Sequence, residues 1–289
     1  MNIAFVGTGV MGHSMAGHLM AAGHELSIFT RTKSKAESLL KAGARWAETP
    51  ADAADGAEMA IAIVGMPEDV EDVFLGDHGL LAAATPPPII IDMTTSPPSL
   101  ARRIAKTASQ RGVSAIDAPV SGGDIGARNA TLSIMVGGET PAVATALPVL
   151  ELMGRTIVHQ GPAGSGQHTK MVNQILIAGG MLGMCEGLRY AEKAGLDGHK
   201  VIESVGGGAA GSWSINNLGP RILERDFEPG FFIEHFLKDL SIAIREAEAM
   251  SLDLPALTMA KAFYERAVSE GLGHKGTQAL QLLMESGDS

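Results

Sequence analysis

Asn2-Ile-Ala-Phe-Val6 runs straight into Gly7-Thr8-Gly9-Val10-Met11-Gly12, an apolar stretch that ends in three glycines spaced G-x-G-x-x-G. After a strand and at the start of a helix, that spacing has a physical meaning. The first glycine permits a tight turn and the second lets a pyrophosphate approach the backbone. The third lets the helix pack on the strand, with the helix N-terminus facing the phosphates. Downstream, short apolar runs alternate with amphipathic stretches. Strands are predicted at Ile3–Val6, Glu25–Phe29, Met59–Val64, Ile89–Asp92, Ser114–Asp117, Leu132–Val136 and Thr156–His159. Helices are predicted between them at Met11–Ala22, Lys33–Ala42, Pro67–Leu75 and Pro98–Arg111. Alternation at this spacing predicts a doubly wound, mostly parallel α/β sheet.

After Gly166 the strand signal disappears, and helices are predicted over about 166–194, 198–206, 213–223, 233–250, 254–271 and 274–285. The breaker cluster Gly161-Pro-Ala-Gly-Ser-Gly166 marks the change. The expected domains are therefore a nucleotide-binding α/β Rossmann domain at 1–162 and an all-α C-terminal domain at 163–289. Within the long first helix Gly179, Gly183 and Gly187 recur every four residues. They leave a groove for close backbone approach, either from the same subunit or from another.

Composition sets the limits. The chain has 289 residues, 45% of them hydrophobic, with 36 glycines and only 4% aromatics. That suits helices packed closely on a sheet and offers few platforms for stacking single-stranded nucleic acid. A formal net charge of -10 without a basic block argues against nucleic acid and anionic membranes as partners. The apolar stretch Ile175–Cys185 is short for a bilayer, and no signal segment precedes the first strand, so a soluble, cytoplasmic protein is expected. The single cysteine, Cys185, lies in an apolar helical run and reads as an inert buried thiol. The nine histidines are scattered without ligand spacing, so no metal site is expected.

The second strand indicates which nucleotide is preferred. An NAD site usually ends that strand with a carboxylate for the ribose 2′-hydroxyl. Here the segment reads Ile28-Phe29-Thr30-Arg31-Thr32-Lys33. Arg31, helped by Thr32 and by Lys33 or Lys35, suits a 2′-phosphate, so NADP(H) is favoured, with NAD(H) as the alternative. A solvated cationic helix start is the plainer reading of the same residues. Two later strand ends, Val64-Gly-Met66-Pro67 and Asp92-Met-Thr-Thr95-Ser96-Pro97, fall where ligands sit in open α/β sheets. They either bend the backbone around ribose and nicotinamide or are ordinary turns.

Two further segments point to a small anionic substrate. In Asp117-Ala-Pro119-Val-Ser121-Gly122-Gly123 a hydroxyl and successive glycine amides form a donor nest suited to a carboxylate. In Gly161-Pro-Ala-Gly-Ser-Gly-Gln-His-Thr-Lys170-Met-Val-Asn173-Gln174, spacings of three and four place Lys170, Asn173 and Gln174 on one helical face. A cation and two amides do not belong in an apolar face unless something polar binds there.

Together with Thr131-Leu-Ser-Ile-Met-Val-Gly-Gly138 and Phe236-Leu-Lys238-Asp239-Leu240, these motifs resemble the β-hydroxyacid dehydrogenase family over essentially the whole chain. That family includes 3-hydroxyisobutyrate dehydrogenase and the tartronate, glyoxylate and succinic semialdehyde reductases. The resemblance implies an NAD(P)-dependent oxidoreductase acting on a CH–OH group, with Lys170 as the catalytic acid–base. It implies Ser121, Gly122 and Gly123 as the substrate-carboxylate loop, and Asn173 and Gln174 as substrate-positioning amides. It also implies Thr95 and Lys238 as cofactor contacts near the nicotinamide, beside Gly7 to Gly12, Met66 and Pro67 read above from the strand ends, and a homodimer or homotetramer built through the helical domain. Two departures stand out. Members often carry two asparagines where this chain has Asn173-Gln174, and a common Gly-Thr-Leu is here Ala130-Thr131-Leu132.

The chemistry expected is hydride transfer next to, or one carbon from, a carboxylate. A free lysine titrates near ~10.4, so donating a proton to a developing alkoxide requires no shift, which favours the reductase direction. Trp213, Phe231 and His235 are candidates either for pocket lining or for core packing. The rival readings are another hydride-transfer enzyme on the same scaffold (a 6-phosphogluconate dehydrogenase, whose family is much longer, or an imine reductase-like enzyme, which typically lacks the lysine) and, secondly, a non-catalytic nucleotide sensor or scaffold. The second would be expected to have lost Lys170 or the Ser121-Gly-Gly loop.

Overall fold

The apolar runs become strands because they are buried on both faces, as a parallel sheet covered by helices requires. The computed structural model describes residues 1–286. Its strands are β1 (Asn2–Val6), β2 (Glu25–Phe29), β3 (Arg45–Trp46), β4 (Met59–Ala62), β5 (Ile89–Asp92), β6 (Ser114–Asp117), β7 (Val120–Ser121), β8 (Leu132–Gly137) and β9 (Gly154–Gly161). They form one sheet in the order β3-β2-β1-β4-β5-β6-β8-β7, with β9 beside β8. Pairing is parallel from β3 through β6 and between β8 and β9, while β8 runs antiparallel to β6 and β7. The doubly wound expectation holds. Strand alternation sends Phe5, Ile61 and Ile91 into one apolar cluster, with Met15 and Leu19, and sends Val6, Ala62 and Ile90 into another, with Phe74 and Ile104.

Details differ from the sequence expectations for local reasons. β4 stops at Ala62 because Val64 N–H turns to Thr94 Oγ1 at 3.0 Å. The helix expected over Lys33–Ala42 is a 3-10 turn, Lys33–Ala36, followed by Glu37–Lys41. Short elements without a readable period also appear: β3, β7, and helices Pro50–Ala54 and Gly123–Arg128, besides the longer Thr140–Leu150. Ala130 sits at φ 54, in the left-handed region where glycine is at ease. An alanine there therefore costs roughly 1 kcal/mol relative to glycine.

The chain separates into two compact units, Met1–Lys170 and Met171 onward. The break falls inside the helix Ser165–Lys193, because the first turns of that helix are tied to β6. In the second unit this helix is joined by Gly198–Gly206, Trp213–Asn217, Gly219–Leu223, Ile233–Ala249, Pro255–Ser269 and Leu280–Ser286. The helix expected at 213–223 is split at Leu218, ahead of Pro220. Met181, Cys185, Phe236, Leu240 and Tyr264 form the core, with Phe236 and Tyr264 edge-on at 4.9 Å. By length and composition Ser165–Lys193 is apolar enough to cross a bilayer, yet Ala178, Met181 and Cys185 are wholly buried within the unit, as in a core helix. Burial pushes the Cys185 thiol up to about 12, which keeps it an inert thiol. Among the described residues none lies within 4 Å of a Cβ placed at Gly179, Gly183 or Gly187, the helix's own backbone aside.

Candidate active site

The cofactor turn is built as its glycines require. Gly7 adopts φ +96, and a Cβ there would lie 2.0 Å from Ile63 O. A Cβ at Gly12 would lie 2.0 Å from Gly7 O, whereas Gly9 faces open space. Thr8 is 2% exposed, and its Oγ1 has no hydrogen-bond partner among the described residues. Open space before Gly9 and an orphaned buried hydroxyl fit a dinucleotide pyrophosphate. Val10 is exposed and Met11 half-buried ahead of the helix Gly12–Ala21.

Arg31 lies just beyond β2, 79% exposed, with Nη1 2.8 Å from Asp69 Oδ1. The other oxygen of Asp69 accepts from Met66 N–H at 3.1 Å, which ties the β4 loop to the same carboxylate. Arg31 keeps further N–H donors for a ligand. Thr32 is exposed beside it, while Lys33 Nζ packs over the Trp46 ring at 4.6 Å. Met66 is exposed and Pro67 half-buried at the start of the helix Pro67–Leu75.

Two buried aspartates organise the carboxyl ends of β5 and β6, where Asp92 and Asp117 are paired in register. Asp92 accepts from Thr94 N–H at 2.9 Å and from Ser96 Oγ–H at 3.0 Å. Burial pushes its carboxyl up to about 7, against these hydrogen bonds and with the Asp117 charge adding to the rise. Asp117 accepts from Gly164 N–H at 2.7 Å and Gln167 N–H at 2.8 Å, so a strand end caps the lysine helix. Burial likewise raises the Asp117 carboxyl, opposed by the backbone donors it satisfies. Thr95, half-buried, sits in the turn that Asp92 holds.

Lys170 follows from that cap. It is 6% exposed, and its Nζ donates to Val120 O at 2.7 Å. Val120 immediately precedes Ser121, Gly122 and Gly123, all half-buried, with Gly122 at φ +131 and Gly123 at φ +62. A buried ammonium is thus brought to the edge of the loop expected to hold a carboxylate.

In the second unit a chain of side chains starts at Asn173. Its Nδ2 donates to Gln174 Oε1 at 2.7 Å, and Gln174 Nε2 donates to Asp239 Oδ2 at 2.6 Å. Asp239 Oδ1 lies 3.0 Å from Lys238 Nζ, an ion pair without hydrogen-bond alignment. Gln174 is fully engaged and buried, so it positions Asn173, which is the more exposed of the two. His235 lies between Phe231 and Phe232, with ring centroids at 6.5 and 5.4 Å, while Trp213 is exposed. No cluster able to hold a metal ion occurs among the described residues.

The first unit therefore brings Lys170 together with the Ser121–Gly123 loop. Asp92, Ser96, Gln167 and Asp69 received no role from the sequence. For Asp92 the visible signal is that β5, like β6, ends in Ile-Asp.

Comparison with known proteins decides the lineage. Residues 2–161 match the NAD binding domain of 6-phosphogluconate dehydrogenase, and residues 164–283 match the NAD-binding domain of NADP-dependent 3-hydroxyisobutyrate dehydrogenase. The chain belongs to the β-hydroxyacid dehydrogenase family. It is 51% identical to an oxidoreductase of Bacillus subtilis, YkwC, over 97% of this chain and 98% of that protein. It is 48% identical to a probable mitochondrial 3-hydroxyisobutyrate dehydrogenase-like protein of Arabidopsis thaliana, over 98% of this chain and 85% of that one. A Mycobacterium tuberculosis 3-hydroxyisobutyrate dehydrogenase solved with L-serine superposes at TM-score 0.87 and 30% identity, covering 98% of both chains. A β-hydroxyacid dehydrogenase with NAD(P)-binding domains is accordingly an oxidoreductase.

Proposed function

We propose that this chain catalyses hydride transfer between NADP(H) and a small carboxylated aldehyde or β-hydroxyacid, with Lys170 as the acid–base. The observation that carries this reading is the buried Lys170 ammonium, 2.7 Å from Val120 O, at the edge of Ser121-Gly122-Gly123. When bound, the nicotinamide supplies the hydride in reduction and accepts it in oxidation. Ser121 Oγ and the Gly122 and Gly123 amides bind the carboxylate and hold the reacting carbon near Lys170. Lys170 Nζ, a donor already oriented by Val120 O, gives a proton to the developing alkoxide; in oxidation it takes that proton back. Asn173, steadied by Gln174, orients the substrate oxygen. The β-hydroxyacid class includes 3-hydroxyisobutyrate and L-serine, the latter present in the mycobacterial structure.

NADP(H) is preferred because Arg31 is exposed where β2 ends without a carboxylate of its own, which suits a 2′-phosphate. The test is initial rates of NADPH and NADH oxidation with methylmalonate, tartronate and succinic semialdehydes and glyoxylate. The reverse reaction is assayed with 3-hydroxyisobutyrate and L-serine. Lys170→Ala is expected to lower kcat by roughly 10²–10⁴ with NADPH binding retained. Arg31→Ala is expected to raise KM for NADPH about tenfold and leave KM for NADH in place. Near-normal turnover by Lys170→Ala would sink the acid–base assignment.

A further inference from the structure

Gln167 stands one helical turn before Lys170 and is 0% exposed. Both ends of its amide engage one short stretch of backbone. Its Oε1 accepts from Ser96 N–H at 3.0 Å, and its Nε2 donates to Thr94 O at 2.7 Å. The orientation of the amide is fixed by its partners, since a backbone N–H can only donate and a carbonyl can only accept. Enclosed between the two bonds is Thr95.

We infer that Gln167 is a positioning residue that locks the Thr94–Ser96 turn to the lysine helix, so that cofactor-side geometry and the placement of Lys170 are set together. This rests on the reading of Lys170 as the acid–base. The turn is held on its other sides by Asp92 and by Val64 N–H, and the helix start by Asp117. Gln167 joins these two rigid pieces directly. No other side chain supplies the same pair of bonds at that length. A leucine has neither group, an asparagine is a methylene short, and an ionised glutamate has no donor for Thr94 O. A misplacement of about 1 Å in a reacting group can cost on the order of 10²-fold in rate, so loosening this joint should register in turnover as well as in stability.

The experiment compares Gln167→Leu and Gln167→Glu with Lys170→Ala and with Gln278→Leu as a stability control. Gln278 is an equally buried amide in the second unit, bonded to Asp226 O at 3.1 Å and Glu228 O at 3.2 Å. Gln167→Leu is expected to lose ~10–100-fold in kcat and to raise KM for NADPH several-fold. Gln278→Leu, with a similar drop in Tm, should keep both. Gln167→Glu should show a new acidic limb in its kcat–pH profile, because protonation restores a donor towards Thr94 O. Equal, small changes in kcat and KM for Gln167→Leu and Gln278→Leu would overturn the inference while a dead Lys170→Ala left the acid–base reading standing. An active Lys170→Ala would overturn both. If Gln167→Leu does not fold, wild-type kcat and KM for Gln167→Glu across the pH range, without a new limb, would overturn it.

Discussion

The two units handle buried polar groups differently. In the first, nearly every bond of the network around Asp92, Gln167 and Asp117 has a backbone group at one end: Thr94 N, Ser96 N, Thr94 O, Gly164 N, Gln167 N and Val120 O. In the second, the chain Asn173, Gln174, Asp239, Lys238 is made of side chains alone. A network anchored on backbone has one end of each bond fixed by the path of the chain. A relay of side chains is set by the length of each member. On the function proposed above, the first arrangement serves the hydride-transfer chemistry and the second the choice of substrate.

The strongest way to break the comparison is to titrate the backbone-anchored side. Burial pushes Asp92 up to about 7 from an ordinary 3.8, so the folded protein holds a proton that the unfolded chain has already lost. Unfolding between those values releases a proton, and stability present in acid is lost as pH rises through about 7. The gap corresponds to roughly 4 kcal/mol. Asp92→Asn cannot titrate. Its unfolding free energy, measured by denaturant between pH 4 and 8.5, should fall less than that of the wild type as pH rises. Parallel curves for the two proteins would show that the network tolerates the charge, and the contrast with the second unit would weaken.

A somewhat smaller effect is expected where the network caps the lysine helix. Asp117→Ala leaves Gly164 N–H and Gln167 N–H without their acceptor. Unpaired buried donors cost about 1–3 kcal/mol each, so a loss near ~3 kcal/mol is expected. Chemical denaturation at pH 6 reads it. A loss below ~1 kcal/mol would mean that the helix start relaxes freely, contrary to a backbone-fixed frame.

The legible parts of this molecule are those where backbone geometry demands a residue type at fixed spacing. Gly7, Gly9 and Gly12 announced the turn, and the alternation of elements announced the sheet. The run of glycines after Ser121 and the polar face of Lys170 announced chemistry. β3 and β7 span two residues each and carry no period, so they could not be read. Gln167 lay within a quoted motif, but its role could not be read, for another reason. Its partner Ser96 is 71 residues away, and nothing local distinguishes a buried glutamine at a helix start from an exposed one. Gln174 was read as an amide on the right face, but its reach to Asp239, 65 residues on, is a fact of packing.

That reach supplies the finest test. Gln174 is one methylene longer than an asparagine, and that methylene is what spans to Asp239 Oδ2 at 2.6 Å while Oε1 still receives Asn173 at 2.7 Å. Gln174→Asn shortens the relay, and one of the two bonds must break. The stability cost is expected to be about 1 kcal/mol, the smallest of the three. Its effect on Asn173 should be selective: KM for some carboxylated aldehydes should move roughly fivefold, with KM for NADPH unchanged and the order of preferred substrates altered. A relay set by side-chain length re-ranks substrates when the length changes, whereas a mere prop slows all of them by one factor. Uniform slowing across the aldehyde panel would place Gln174 with the fixed frame and remove the distinction between the two units. A changed ranking would locate substrate choice in the side-chain relay Asn173–Gln174–Asp239.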